Sequence, residues 1–390
     1  MLKTPLKSTS RDLDRNALRA ALIKARQYTN AWLADLPAHA WDAVPYLPTI
    51  NPPRWELGHI AWFQEWWCLR QRADTGAAPS LLQHADRWFD SARVAHESRW
   101  TLDLPTLAAL RDYADRVLAG TLVALDQCAD DDSALYVFRL ALFHEDMHAE
   151  ALAYLRQTLA WPGPAADAAP LPPAADVTVA GGEYQLGMPR AARGFVFDNE
   201  KWSHPVQVAP FAIAGAPVSE TEFAAFVDAG GCADPRWWGE AGNAWRTARN
   251  VAHPRYWRRE SGAWQCRRFD TWHALSSARP MCHVSAFEAQ AWCAWAGRRL
   301  PTEAEWEAAA LRGAIAPAGV WEWTATTFLP YPGFAPDPYR EYSAPWFGTH
   351  RVAKGLGRFA SPRLWHPRFR NFYLPERADV FVGFRTCACD

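Results

Sequence analysis

Residues 135–161 read LYVFRLALFHEDMHAEALAYLRQTLAW, and their periodicity sets the architecture of the N-terminal part of the chain. Val137, Leu140, Ala141, Ala151 and Leu155 recur at helical spacing, and His144 and His148 fall on the same apolar stripe, one turn apart. Both imidazoles therefore point toward a core. A buried imidazole without a partner costs roughly 1–3 kcal/mol, so two stacked on one core face need a common reason. A shared metal ion supplies one.

Working outward, three more amphipathic helices precede this one. After the cap-like run Ser8, Thr9, Ser10, the first carries Leu18, Leu22 and Trp32. The second, residues 55–70, puts His59, Phe63 and Trp66 on one stripe, and the third, about 104–126, carries Leu107, Leu110, Val117 and Leu125. An antiparallel four-helix bundle over residues 1–161 is the simplest assembly. Residues 162–176, PGPAADAAPLPPAAD, lose amide donors to proline and have little to bury, which is linker composition. From 177 to 390 the chain turns irregular, with short apolar runs such as VTVAGGEYQLG, many Gly, Trp and Arg residues, and a helix pair around 285–310; this reads as a loop-rich mixed domain. The fold class is α+β.

The 390 residues are 49% hydrophobic, enough for two or three cores, and a net charge of −1 gives no field for nucleic acid. Small, roughly neutral ligands fit better, and the 23 tryptophans suit aromatic-walled pockets as well as dense cores. The first residues lack a secretory apolar stretch and no run reaches the roughly 20 apolar residues of a membrane span, so a cytoplasmic enzyme is expected. The eight cysteines show no CxxC pairing and read as reduced thiols. No repeat of fixed period is evident.

HEDMH spells the H-E-x-x-H of zinc proteases, in which Glu145 would be the general base. The context argues against it: Ala151 and Tyr154 stand where the longer form of that motif needs Gly and His, and the chain runs into its proline-rich linker instead of a further helical carboxylate. The third ligand is then His59, on the inward stripe of a neighbouring helix. Glu150, at about 100° per residue, points away from both His144 and His148. Three histidines from two helices leave a metal with open positions, and spacing alone does not separate zinc from iron.

His59 together with HEDMHAE resembles the HxxxHxE signature of DinB-like bundles in the ergothioneine-synthase group of nonheme iron enzymes. The second half, through PVSETEFAAFV, HVSAFEAQAWCAWAGRRLPTEAEWEAAA, GVWEWT and GFRTC, resembles the formylglycine-generating-enzyme or sulfatase-modifying-factor fold, of C-type-lectin-like type. The resemblance implies Fe(II) held by His59, His144 and His148, O2 as co-substrate, and a bond from a sulfur or selenium donor to the imidazole C2 of hercynine. Within the group, FLPYPGFAPDPYREYSAPWF and RFRNFYLPERADVFVGFRTC are most similar to selenoneine synthases, which use a selenosugar. The sulfur-using alternative joins hercynine to γ-glutamylcysteine or cysteine, and a zinc-dependent DinB-like thiol transferase is a further one.

The resemblance also implies substrate positions. Phe328 stands where thiol-using relatives place a proton-donating tyrosine, and Tyr373 where some carry an aspartate for the donor's amino group. Met147 replaces a glutamine facing hercynine. Asn371 and Phe372 match the betaine pocket, where a quaternary ammonium needs aromatic faces, Tyr331 resembles another pocket tyrosine, and Arg377 matches a donor-binding arginine. No catalytic residue beyond the metal ligands is implied. The cysteine pair of a formylglycine-generating enzyme has no counterpart in SPRLWHPRFRNFY, and Cys387 and Cys389, in the terminal strand, read as structural.

Overall fold

The structure is a computed structural model that describes residues 10–41, 43–71, 78–164 and 170–389. Ser8 and Thr9 of the cap-like run, and residues 165–169 of the linker, lie outside the described residues. The described residues divide into two compact units, one of residues 10–155 with Arg193–Phe195, the other of Arg156–Ala192 with the chain from Val196 onward.

The first unit is helical: α1 (Arg15–Leu33), α2 (Pro53–Glu65), the short α3 (Ala85–Phe89), α4 (Leu107–Gln127) and α5 (Asp132–Thr158), whose last three residues belong to the second unit. Local chemistry sets the starts. Asp14 accepts from Ala17 N to cap α1, Thr106 accepts from Ala109 N to cap α4, and Pro53 opens α2, where its missing N–H costs nothing. The last turn of α2 widens into a π-helical turn, Trp66–Arg70. Leu18, Leu22, Leu125, Phe138 and Leu142 form one apolar core.

One buried arginine ties this bundle together. From α1, Arg26 donates through Nε to Glu145 Oε1 on α5 (2.8 Å), through Nη2 to Gln64 Oε1 on α2 (2.9 Å) and through Nη1 to the Ala114 carbonyl on α4 (2.7 Å). The carboxylate that the zinc-protease pattern would make a base is thus the ionic partner of a guanidinium.

The second unit holds β1 (Asp176–Val179), β2 (Gly182–Leu186), β3 (His204–Val208), β4 (Phe211–Ala214), α6 (Glu220–Asp228), α7 (Glu240–Arg249), β5 (Trp257–Glu260), β6 (Ala263–Arg268), β7 (Thr271–Ala274), α8 (Ala286–Trp295), β8 (Arg298–Arg299), α9 (Glu303–Leu311), β9 (Trp321–Thr327), β10 (Arg351–Gly355), β11 (Asn371–Tyr373), β12 (Val382–Phe384) and β13 (Cys387–Ala388). These strands form four small sheets: β1-β4-β13-β8, β11-β10-β9-β12, the β2-β3 pair and the β5-β6-β7 meander. β12 and β9 pair in parallel. Serine or threonine at the N-cap and glutamate three residues on start α6, α8 and α9 alike, at Ser219, Ser285 and Thr302. The terminal phrase GFRTC packs inward: Cys387 is fully buried in β13, and Arg385 reaches Glu322 of β9 at 2.9 Å.

Candidate metal centre

His59 on α2 and His144 and His148 on α5 converge, with one ligand atom of each lying within 4.8 Å of the other two. Their ring centroids are 5.1, 4.8 and 4.4 Å apart, pairwise. Aromatic faces hold two of them: Trp55 stacks on His59 at 4.6 Å and Phe63 on His144 at 3.5 Å, nearly parallel. His59 and His144 are buried, whereas His148 is half-buried and marks the wetter side of the cluster.

Polar partners fix the rings. His59 Nδ1 lies 2.8 Å from the Phe89 carbonyl, and His148 Nδ1 lies 2.6 Å from Glu56 Oε2, itself held by Asn51 Nδ2 at 2.7 Å. A carbonyl and a carboxylate accept, so each Nδ1 carries the proton and each Nε2 keeps its lone pair for the shared space. This is the ring arrangement of metal-ligating histidines. Burial, then the neighbouring His148 charge, pushes His59 down to about 3, and the same causes hold His144 well below the ordinary imidazole range. Neutral imidazoles are what a metal requires. At Glu56, burial alone would raise the carboxyl, but the His148 charge and hydrogen bond outweigh it and the pKa falls. A divalent ion with nitrogen preference fits this donor set.

Glu145 and Glu150 stand outside the cluster; both are buried, Glu145 on Arg26. Met147 is half-buried on α5 beside His148. Sequence reasoning missed Glu56, Asn51 and the Phe89 carbonyl. Glu56 lies one helical turn before His59, so a carboxylate on the ligand-bearing stripe was the available signal; the Phe89 carbonyl had none, because any residue offers one.

The substrate positions implied by the resemblance lie, Met147 apart, in the second unit, where they form two small groups. Phe328, fully buried just past β9, stacks on Phe372 of β11 at 4.1 Å, and the Arg370 guanidinium sits 4.9 Å from the Phe328 ring. Tyr331 donates to Glu303 Oε1 at 2.9 Å, and the same carboxylate takes Arg370 Nε at 2.7 Å. In the other group Asn371 Nδ2 donates to the Tyr373 hydroxyl (3.0 Å), and Arg377 lies 5.7 Å from the Tyr373 ring while gripping Asp379 through Nε (2.6 Å) and Nη2 (2.7 Å).

Comparison with known proteins agrees with both halves. The DinB superfamily profile matches residues 21–155, and that of the sulfatase-modifying factor enzyme 1-like domain matches 164–317. A hercynine oxygenase of Mycolicibacterium smegmatis is 31% identical over 87% of this chain and 91% of its own. The Mycobacterium tuberculosis hercynine oxygenase is 34% identical over the same shares. A formylglycine-generating enzyme of Streptomyces coelicolor is 36% identical over 40% of this chain and 55% of its own. A likeness that runs through the helical unit and the mixed α/β unit alike, at this identity, means that the chain belongs to the hercynine oxygenase family.

Proposed function

We propose that the protein is a cytoplasmic, iron(II)- and O2-dependent enzyme that joins a selenosugar to the imidazole C2 of hercynine. The observation that carries the metal half is the three-histidine cluster, with Nδ1 of His59 and His148 tied down and the rings of His59 and His144 held neutral. Iron bound there by His59, His144 and His148 would supply O2 activation beside a soft selenolate. Replacing the C2–H bond by C2–Se removes two electrons and two protons from the substrates, so the reaction needs an oxidant, and O2 is that oxidant.

The chain's own residues divide the remaining work. Half-buried Phe372, backed by the stacked Phe328 ring, offers an aromatic face to a quaternary ammonium. Asn371 lies beside that face in the betaine pocket, and Tyr373 supplies a hydroxyl to a sugar. Two observations support selenosugar over γ-glutamylcysteine: Phe328 has no proton to donate, and two edges of Arg377 are committed to Asp379 rather than open to a donor carboxylate. Tyr331, Met147 and Arg377 complete the proposed substrate set.

The test is turnover of purified, Fe(II)-loaded protein with hercynine and a selenosugar, read by mass spectrometry and by an oxygen electrode. A selenium conjugate formed with matching O2 uptake is expected. Conjugation of γ-glutamylcysteine or cysteine alone would move the chain to the sulfur branch, and conjugation without O2 uptake would mean simple thiol transfer, as a zinc site would perform.

A further inference from the structure

Among the described residues Trp346 alone of the tryptophans stands exposed, at 42%, and none of the substrate roles assigned above uses it. It is not a loose surface ring. Ala344–Trp346 form a short 3-10 turn, the indole Nε1 donates to the Glu341 carbonyl at 3.2 Å, and the Trp346 carbonyl accepts from Thr349 Oγ1 at 3.0 Å. With its one polar atom satisfied, the indole shows solvent an apolar face that is held still.

That face lies next to the substrate positions. Phe328 N donates to the His350 carbonyl at 2.8 Å and Gly348 N to the Phe328 carbonyl at 2.9 Å, which pins residues 348–350 to the end of β9. The rings run in a row, Trp346 to His350 at 5.2 Å and His350 to Phe372 at 5.8 Å, each edge to face, with Phe328 stacked on Phe372. His350, half-buried, thus links the exposed indole to the proposed hercynine face. Its tautomer follows from its hydrogen bonds. Thr349 Oγ1 gives its single proton to the Trp346 carbonyl and lies 2.9 Å from His350 Nδ1, so Nδ1 carries the hydrogen and the hydroxyl accepts it. Nε2 keeps its lone pair, and among the described residues no group hydrogen-bonds it. Burial, with the Arg377 charge, pushes His350 down to about 4, so the ring is a neutral acceptor at pH 7.

A still apolar face beside an unused acceptor matches a pyranose, which has C–H groups on its face and hydroxyl donors at its rim. A quaternary ammonium would use the indole and leave Nε2 idle. We propose that Trp346 and His350 form a sugar subsite for the donor, the pyranose lying by its C–H face on the indole and one of its hydroxyls donating to His350 Nε2. This subsite rests on the glycosidic donor proposed above and gives that donor a surface to lie on; γ-glutamylcysteine has no such face and would not use it.

The test pairs steady-state kinetics of the Fe(II)-loaded full chain with calorimetric titration of the same protein by a methyl pyranoside, which binds without turnover. Trp346→Ala should raise the selenosugar KM about tenfold at nearly unchanged kcat and weaken pyranoside binding by a similar factor, while the hercynine KM and the melting temperature stay put. Trp346→Phe should recover most of the loss. His350→Phe, which keeps a ring but removes the acceptor, should raise the selenosugar KM about fivefold. A selenosugar KM and pyranoside affinity both indifferent to Trp346→Ala overturn the subsite while selenosugar turnover itself stands. A hercynine KM that rises in place of the selenosugar KM overturns it too, by giving the indole to the ammonium. Trp346-dependent pyranoside binding in a protein that turns over only γ-glutamylcysteine supports the sugar-binding face and overturns the glycosidic donor instead; neither selenosugar turnover nor pyranoside binding overturns both.

Discussion

The two units solve the same problem, holding polar groups inside an apolar core, with opposite results. In the helical unit the buried pair of Arg26 with Glu145 joins the four long helices, and His59 and His144 beside it are left neutral and pointed, with His148, at one spot. In the mixed unit buried pairs are spread through the core: Arg370 with Glu303, Lys354 with Glu307 and Arg385 with Glu322. There the charges are spent on the scaffold, fastening α9 and β9 to the loops and the terminal strands. A buried charge kept paired is a frame; a buried base kept neutral and unprotonated is a ligand.

The sharpest way to break this contrast is to unpair one frame in each unit. Arg26→Ala leaves Glu145 buried and uncompensated, and Arg370→Ala does the same to Glu303; each should lose about 3–5 kcal/mol of stability, seen as a lower denaturation midpoint. The variants should differ in metal content. Arg26→Ala should lower iron retention after dialysis, because α1, α2 and α5 lose their common tie, whereas Arg370→Ala should leave it unchanged. Equal metal loss in both would dissolve the distinction.

Acid sharpens it next. His59 is held near 3 and His144 well below 6.5, so below pH 6.5 the unfolded chain takes up protons that the folded chain refuses. Their contribution is neutral above 6.5 and turns destabilising as the pH falls. The cost is about 1.4 kcal/mol from His59 at pH 5.5, and His144 adds to it in the same direction. Metal-stripped protein should therefore unfold progressively more easily from pH 7 to 5.5 in a denaturant series, and His59→Phe should flatten that slope. A slope the substitution leaves unchanged would mean that the acid sensitivity resides elsewhere.

The same contrast explains what could be read from the chain. Helical periodicity put His59, His144 and His148 on inward stripes because a ligand on a helix inherits the helix's period. The phrases PTEAEWEAAA, VWEWT and GFRTC identify the second fold because they build it: Glu303 and Glu307 anchor Arg370 and Lys354, and Glu322 anchors Arg385. What stayed hidden has no period. The Asn371–Tyr373 bond, the Arg377–Asp379 grip and the Phe328–Phe372 stack join residues on loops and a three-residue strand, where spacing says nothing about direction. Resemblance alone pointed to those positions. Glu56 fell between the two cases, lying on a readable stripe but bonded to a histidine 92 positions away.

Glu56 also gives the next measurement. Glu56→Gln keeps an oxygen to accept from His148 Nδ1 but removes the charge that makes the imidazole a better donor. Metal affinity should fall about 10- to 100-fold, read by competition with a chelator, while the fold persists. A fall no larger than that of Glu150→Gln, which lies on the same helix as His148 but outside the cluster, would reduce Glu56 to packing.

The smallest effect tests the loop side. Phe328→Tyr adds a hydroxyl to a fully buried ring stacked at 4.1 Å on Phe372, with the Arg370 guanidinium 4.9 Å from the ring. The new oxygen must either find a partner or cost about 1–3 kcal/mol, so the melting temperature reports whether the pocket can accept it. If Phe328 tunes donor choice, restoring a proton source should raise γ-glutamylcysteine turnover relative to selenosugar turnover by about threefold, a change within the worth of one hydrogen bond. The ratio is the informative quantity, since a general loss of stability lowers both rates together. An unchanged ratio at unchanged stability would make Phe328 a packing residue and return the question of donor choice to Tyr373, whose hydroxyl already accepts from Asn371 Nδ2.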